Sequence, residues 1–250
     1  MEFAVIFFFG LVIGSFFNVL LSRLDKEDGI VAGRSHCPFC HRVLAWHELI
    51  PVFSFIALRG RCRTCKRKIS WRYPLVELLT ATLLVIFFFN HGLSLDLRSA
   101  VIIAILLGFL LLAIFDFSYF VLPDKILVPM IVLSIAQAIA WSETSLEYTI
   151  GFGLLLASIF GILYVVSDGL WIGFGDVKLA FCIGIFFPFP QAVAIILLSI
   201  WIAAIIGIGL LLTRRASLKT ALPFGSFLSS ISILFILFNE QFFFLTFLFS

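Results

Sequence analysis

Charge is what this sequence lacks most. Asp, Glu, Lys and Arg together supply 12% of its 250 residues, too few to clothe the surface of a water-soluble domain. A cleavable secretory signal is also missing. No basic segment precedes the first apolar run, Met1 to Leu21, and no small-x-small cleavage site follows it, so this run reads as a retained span. There is no repeat, low-complexity tract or linker to mark a second transmembrane domain. The net charge of +3 reflects membrane topology and gives no reason to expect a nucleic-acid partner.

What is present is apolar sequence: 62% of the residues are hydrophobic and mean hydropathy is +1.20. Spanning a lipid core of about 30 Å takes roughly 17 to 25 helical residues. Runs approaching that length predict an all-α polytopic membrane protein with about eight transmembrane helices. These are Phe3 to Ser22, Pro74 to Asn90, Ser99 to Phe120, Lys125 to Trp141, Tyr148 to Val166, Asp176 to Phe187, Gln191 to Leu212 and Pro223 to Asn239. The sixth is short, and Glu240 separates the last from a further apolar tail, Phe242 to Phe249. Basic residues stay on the cytoplasmic side. Placing the N-terminus outside puts every Lys and Arg except Arg98 inside, while the outer loop Ser142 to Glu147 carries only acids. Three regions follow: a first transmembrane helix over residues 1–22, a cytosolic insert over 23–73 and a transmembrane bundle over 74–250.

The insert holds four of the five cysteines. Cys37-Pro38-Phe39-Cys40 and Cys62-Arg63-Thr64-Cys65 are two CxxC knuckles separated by 21 residues, the arrangement of a four-cysteine zinc ribbon. Two disulfides are the competing reading, but the charge rule places this loop in the reducing cytosol. Four thiolates fill a tetrahedral Zn²⁺, leaving no open position for water, so the expected metal is structural. His36, His41 and His47 are read as surface groups, and Cys182 as a small packing residue. Between the knuckles, Trp46 to Arg61 suits a small sheet on the membrane surface or a docking face. Lys66 to Tyr73 has the basic and aromatic character expected beside anionic headgroups.

Ionisable groups inside apolar runs are costly and are functional suspects by default. Asp176 belongs to Gly173-Phe174-Gly175-Asp176-Val177-Lys178, a GxGD sequence at the lip of a span. Asp116 lies sixty residues earlier among apolar and aromatic neighbours, where its charged form is poorly solvated. Two crossings separate them, which returns both to one face. Gly173 and Gly175 free the backbone for a tight bend. Two converging aspartates suit acid/base hydrolysis; two unrelated helix caps are the alternative. Lys178 either biases that pair or anchors lipid phosphate. Asp124, after Leu122-Pro123, resembles an N-cap. Glu77 either caps the second span or makes a polar contact with the loop or substrate. Asn18, in Gly14-Ser15-Phe16-Phe17-Asn18, belongs either to a helix-packing seam or to a substrate groove.

Along nearly the whole chain these motifs resemble, in order, the type IV prepilin peptidases, or type 4 leader peptidases. Gly14 to Val19 is similar to the family's first-span GSFxNV; Leu58 to Cys62 and Ile69 to Glu77 resemble its zinc insert. Asp116 with Leu122-Pro123-Asp124 is similar to the first catalytic motif, Gly173 to Lys178 to the second, and Pro223-Phe224-Gly225 to a late motif. The first motif often has another Asp two positions after the catalytic one, where this chain has Ser118. The resemblance implies an intramembrane aspartic endopeptidase of the bacterial cytoplasmic (inner) membrane, with its active site on the cytoplasmic side. It would remove leaders from prepilins and pseudopilins after a glycine, using Asp116 and Asp176. It also implies methylation of the new N-terminal amine with S-adenosylmethionine, although no glycine-rich dinucleotide loop follows a strand here. From other classes, a transporter or proton-relay protein would use the same aspartates as proton sites, and a noncatalytic scaffold would dock a partner through the insert. Matching halves with broken spans, expected of many transporters, are not evident.

Overall fold

The computed structural model describes residues 1–23, 35–215, 217 and 220–238. Lys26, Arg34, Lys219, Asn239, Glu240 and the tail Phe242 to Phe249 therefore lie outside the described residues. Among those described are nine α-helices, one 3-10 turn (Trp46–Leu49) and no β-strand. The helices are α1 (Glu2–Arg23), α2 (Phe53–Ala57), α3 (Arg72–His91), α4 (Leu97–Tyr119), α5 (Asp124–Trp141), α6 (Leu146–Val166), α7 (Phe174–Phe186), α8 (Gln191–Leu212) and α9 (Phe224–Leu237).

Six of them, α1, α3, α4, α5, α6 and α8, have 18 to 23 residues and are apolar enough to cross a membrane. At 1.5 Å per residue they reach about 27 to 35 Å. All eight expected runs are helical, but the sixth and eighth are short: α7 has 13 residues and α9 has 14. Each measures about 20 Å, less than the hydrocarbon thickness. Gly173 precedes the first turn of α7, and Pro188 follows closely after its end, biasing the residue before it away from helix. At α4 and α6 the expected starts fell two residues late because the capping residue comes before the apolar run. Asp96 accepts a hydrogen bond from the Ser99 amide at 2.8 Å at the head of α4, and Ser145 accepts one from the Tyr148 amide at 3.3 Å at the head of α6.

The chain forms two compact units, Met1–Leu93 and Ser94–Ser250. In the first, α1 and α3 run antiparallel: Phe3 meets Phe89, Gly10 meets Ala81 and Gly14 meets Glu77. A Cβ on Gly10 would lie 2.5 Å from Ala81 Cα, and one on Gly14 would lie 2.6 Å from Glu77 Cα. Two glycines one helical turn apart thus let the backbones touch, the usual basis of close packing where no hydrophobic effect drives helices together. Between these helices the segment read as a small sheet or a docking face forms the 3-10 turn and α2, so the sheet is not what forms. Among the described residues, short antiparallel bridges, His36 to Val43 and Arg61 to Lys68, occur only around the cysteine knuckles.

In the second unit α7 packs against α5 and α6, α9 against α4 and α8, and α4 against α5. Gly184 of α7 meets Gly153 of α6, its absent Cβ 2.7 Å from Gly153 Cα. Cys182 packs as expected: it is fully buried, with its sulfur 3.5 Å from the Ser134 hydroxyl of α5. Phe109, Phe115 and Phe235 fill the core.

Gly10→Val is expected to destabilise the protein by about 1 to 3 kcal/mol, because the new side chain meets backbone that cannot yield. Gly209→Val, where nothing lies within 4 Å of the missing Cβ, should leave stability unchanged. Thermal unfolding of both variants in the same detergent would check this.

Candidate active site and metal centre

Asp116 sits in the last turn of α4, with 6% of its surface exposed. Its carbonyl accepts the amide of Phe120 at 2.8 Å, and Phe120 takes a left-handed conformation (φ 56°) that ends the helix. Asp176, 8% exposed, is in the first turn of α7. One carboxylate oxygen, Oδ2, reaches back to accept the Gly173 amide at 3.2 Å. The other, Oδ1, is buried with no hydrogen-bond partner.

Both carboxylates face the first turn of α9. The Ser226 amide donates to Asp116 Oδ2 at 2.7 Å. The neighbouring residue, Gly225, is so close to Asp176 that a Cβ there would lie 3.1 Å from Oδ1. Leu122 fills the space between: added Cβ atoms on Gly175 and Gly225 would approach its side chain to 2.8 and 2.9 Å. Helices from three parts of the second unit thus bring two acids to one point. The amides of a helix N-terminus suit negative charge there.

In the first unit the Sγ atoms of Cys37, Cys40, Cys62 and Cys65 all lie within 4.8 Å of one another, and none is in a disulfide. Cys37 and Cys65 sulfurs are 3.9 Å apart. Four thiolates around one Zn²⁺ at about 2.3 Å would sit about 3.8 Å apart, so the donor set fits a tetrahedral ion. The knuckles are built alike. The Cys37 amide donates to the Arg42 carbonyl and the Cys62 amide to the Arg67 carbonyl, with His41 and Lys66 in left-handed conformations. The amides of Cys65 and Thr64 hold the Cys62 thiol below its ordinary range. His36, His41 and His47 are not in the cluster. These four cysteines can hold a metal ion.

Two family models cover the chain. The bacterial peptidase A24 N-terminal domain matches residues 8–91, and the type IV leader peptidase family matches residues 102–208. A protein of Bacillus subtilis (strain 168) named prepilin leader peptidase/N-methyltransferase is 34% identical over 95% of this chain and 95% of its own. Relatives of the same name in Myxococcus xanthus (strain DK1622) and Pseudomonas putida are 36% and 31% identical. They cover 86% and 93% of this chain, and 65% and 89% of their own. The chain belongs to the type IV leader peptidase family. No solved structure matches it significantly.

The other sequence candidates of this leader peptidase homologue fall into place individually. Asp124 is the first residue of α5, not its N-cap, which is Pro123; no side-chain cap bond forms there. Its carboxylate instead takes Lys178 at 2.6 and 2.8 Å, so Lys178 ties α7 to α5 while lying over the Phe174 ring. Glu77 lies beyond the first turn of α3 and does not cap it. Its Oε2 accepts the amide of Val52 at 2.7 Å, the loop contact that the sequence allowed. Asn18 donates to the Tyr73 carbonyl at 3.0 Å, joining α1 to the head of α3, and borders a cavity of about 450 Å³ within the first unit. Ser118 is exposed, its hydroxyl returned to the Ile114 carbonyl at 2.7 Å. Sequence reading missed Ser226, whose contribution is a backbone amide that no residue type announces, and Arg42 with Glu48. That pair meets at 2.7 Å beside the knuckles; the hydrogen bond from Arg42, with a second from the Ala45 amide, holds the Glu48 carboxyl below its usual range.

Purified protein is expected to carry one thiolate-bound metal ion per chain. Cys37→Ser combined with Cys62→Ser should reduce the metal content to near zero and lower the melting temperature. Elemental analysis of the wild type without any stoichiometric metal would contradict the assignment.

Proposed function

We propose that this chain is a prepilin leader peptidase and N-methyltransferase in which Asp116 and Asp176 are the catalytic pair. The observation that carries the peptidase half is the convergence of both buried carboxylates on the first turn of α9. Two close carboxyls in a poorly hydrated site do not both ionise easily, so the pair holds one proton and titrates as a unit. The ionised member takes a proton from water as the water oxygen attacks the scissile carbonyl carbon. The protonated member donates to the carbonyl oxygen. Collapse of the tetrahedral intermediate, with a proton passing to the leaving nitrogen, frees the leader and the new N-terminus. Asp176 Oδ1, buried without a hydrogen-bond partner, is the oxygen left to take part in this exchange. Lys178 bound by Asp124 holds α7 against α5 and so fixes where Asp176 stands.

Residues 23–73 form the zinc-binding insert, and the zinc is structural because cysteine sulfurs supply all four positions. S-adenosylmethionine supplies an electrophilic methyl group for the amine exposed by cleavage. The cavity of the first unit, lined among others by Arg42, Glu48, Glu77 and Asn18, offers charged and polar groups to the carboxylate, amino and hydroxyl groups of such a ligand. The N-terminus lies outside the cytoplasmic membrane, and the insert and aspartates face the cytoplasm, as the distribution of Lys and Arg supports. A proton-relay role for the two aspartates has no observation of its own in favour.

Membranes carrying the protein should shorten a prepilin-like peptide by its leader and add a methyl group, both read by mass. Asp116→Asn and Asp176→Asn should each slow cleavage by about 10²- to 10⁴-fold while leaving the protein inserted. Near-normal processing by either variant would rule out the pair.

A further inference from the structure

Asp176 Oδ2 is occupied by the Gly173 amide, but Oδ1 has no partner, and the residue across from it is Gly225. Gly225 is the second residue of α9 and does not use the left-handed conformation that favours glycine. Its backbone would therefore accept alanine, which is the better helix former. What glycine provides here is room. A Cβ at this position would stand 3.1 Å from Asp176 Oδ1, and 2.9 and 3.0 Å from the Leu122 methyls. The next residue, Ser226, turns its amide to Asp116 at 2.7 Å.

On the basis of the catalytic pair proposed above, we propose that the first turn of α9 is a third component of the active site and that Gly225 is a positioning residue. Its missing side chain lets the first turn of α9 close against Asp176 Oδ1 and Leu122, while the Ser226 amide fixes Asp116 alongside, so that this turn sets where the two carboxylates stand. A methyl group there forces Asp176 or α9 to shift without removing either carboxylate. Because reacting groups must meet within a few tenths of an ångström of their productive separation, the expected loss is in turnover more than in capture of the substrate.

The competing explanation is that glycine serves only to seat Leu122, and a double variant separates the two. Gly225→Ala should lower kcat for cleavage of a prepilin peptide about tenfold or more, with KM within about twofold of wild type. Methylation of an already cleaved pilin peptide should continue at the wild-type rate. Leu122→Ala in that background removes the clash with the leucine and should restore any lost melting temperature, but not kcat. Wild-type turnover by Gly225→Ala, or recovery of turnover in Gly225→Ala/Leu122→Ala, would overturn the role of Gly225. Asp176→Asn measured in parallel keeps the two ideas apart. An inactive Asp176→Asn beside a fully active Gly225→Ala removes the role of Gly225 alone, whereas an active Asp176→Asn removes the pair itself.

Discussion

Keeping two carboxyl groups inside an apolar helix bundle is the constraint on which the second unit depends. A buried acid without partners is strongly disfavoured, and this chain supplies partners largely from backbone. Asp116 receives an amide from Ser226, 110 residues away in sequence, and Asp176 receives one from Gly173, three residues away. The long-range bond requires the head of α9 to stand against the end of α4. The local bond requires α7 to begin beyond Gly173, with its acid folded back over its own first turn. Leu122 completes the arrangement because glycines at 175 and 225 leave it room. Chemistry and packing are thus not separable here: the contacts that make the acids tolerable are those that bring them together.

The first unit solves a different problem. Its insert leaves most of its large apolar side chains exposed and has no strand among the described residues, so a hydrophobic core cannot account for its order. Four sulfurs at one point replace such a core. Around them the Arg42 to Glu48 ion pair and the Glu77 bond to the Val52 amide carry the order outward, the second directly onto α3. Val52 is itself left-handed (φ 59°), a conformation unfavourable for a β-branched residue and held where its amide meets a carboxylate.

Much of this was legible in the linear chain. Apolar run lengths located each of the six membrane-length helices among the described residues, since backbone in lipid must satisfy its own hydrogen bonds and helix is the solution available to a single run. The CxxC spacing announced a metal site because two thiols three positions apart turn toward one point. The aspartates stood out because their surroundings cannot solvate them. Asp124 was misread as a cap: whether an acid at a helix start turns inward to the amides or outward depends on a cation elsewhere, here Lys178. The stretch between the knuckles was too short and mixed for any period to declare itself, and of its two readings, a small sheet or a docking face, the sheet gave way to helix.

Composition, periodicity and motif order by themselves determined that this is a polytopic helical membrane protein with a four-cysteine insert and two suspect acids, because each is a property of residues near one another in the chain. Tertiary structure alone decided that Asp116 and Asp176 share the first turn of α9, that the donor to Asp116 is the amide of Ser226, and that Gly225 matters through the side chain it lacks. Backbone amides and a side chain that is absent carry little signal in a sequence; they acquire meaning only when helices distant along the chain are packed together.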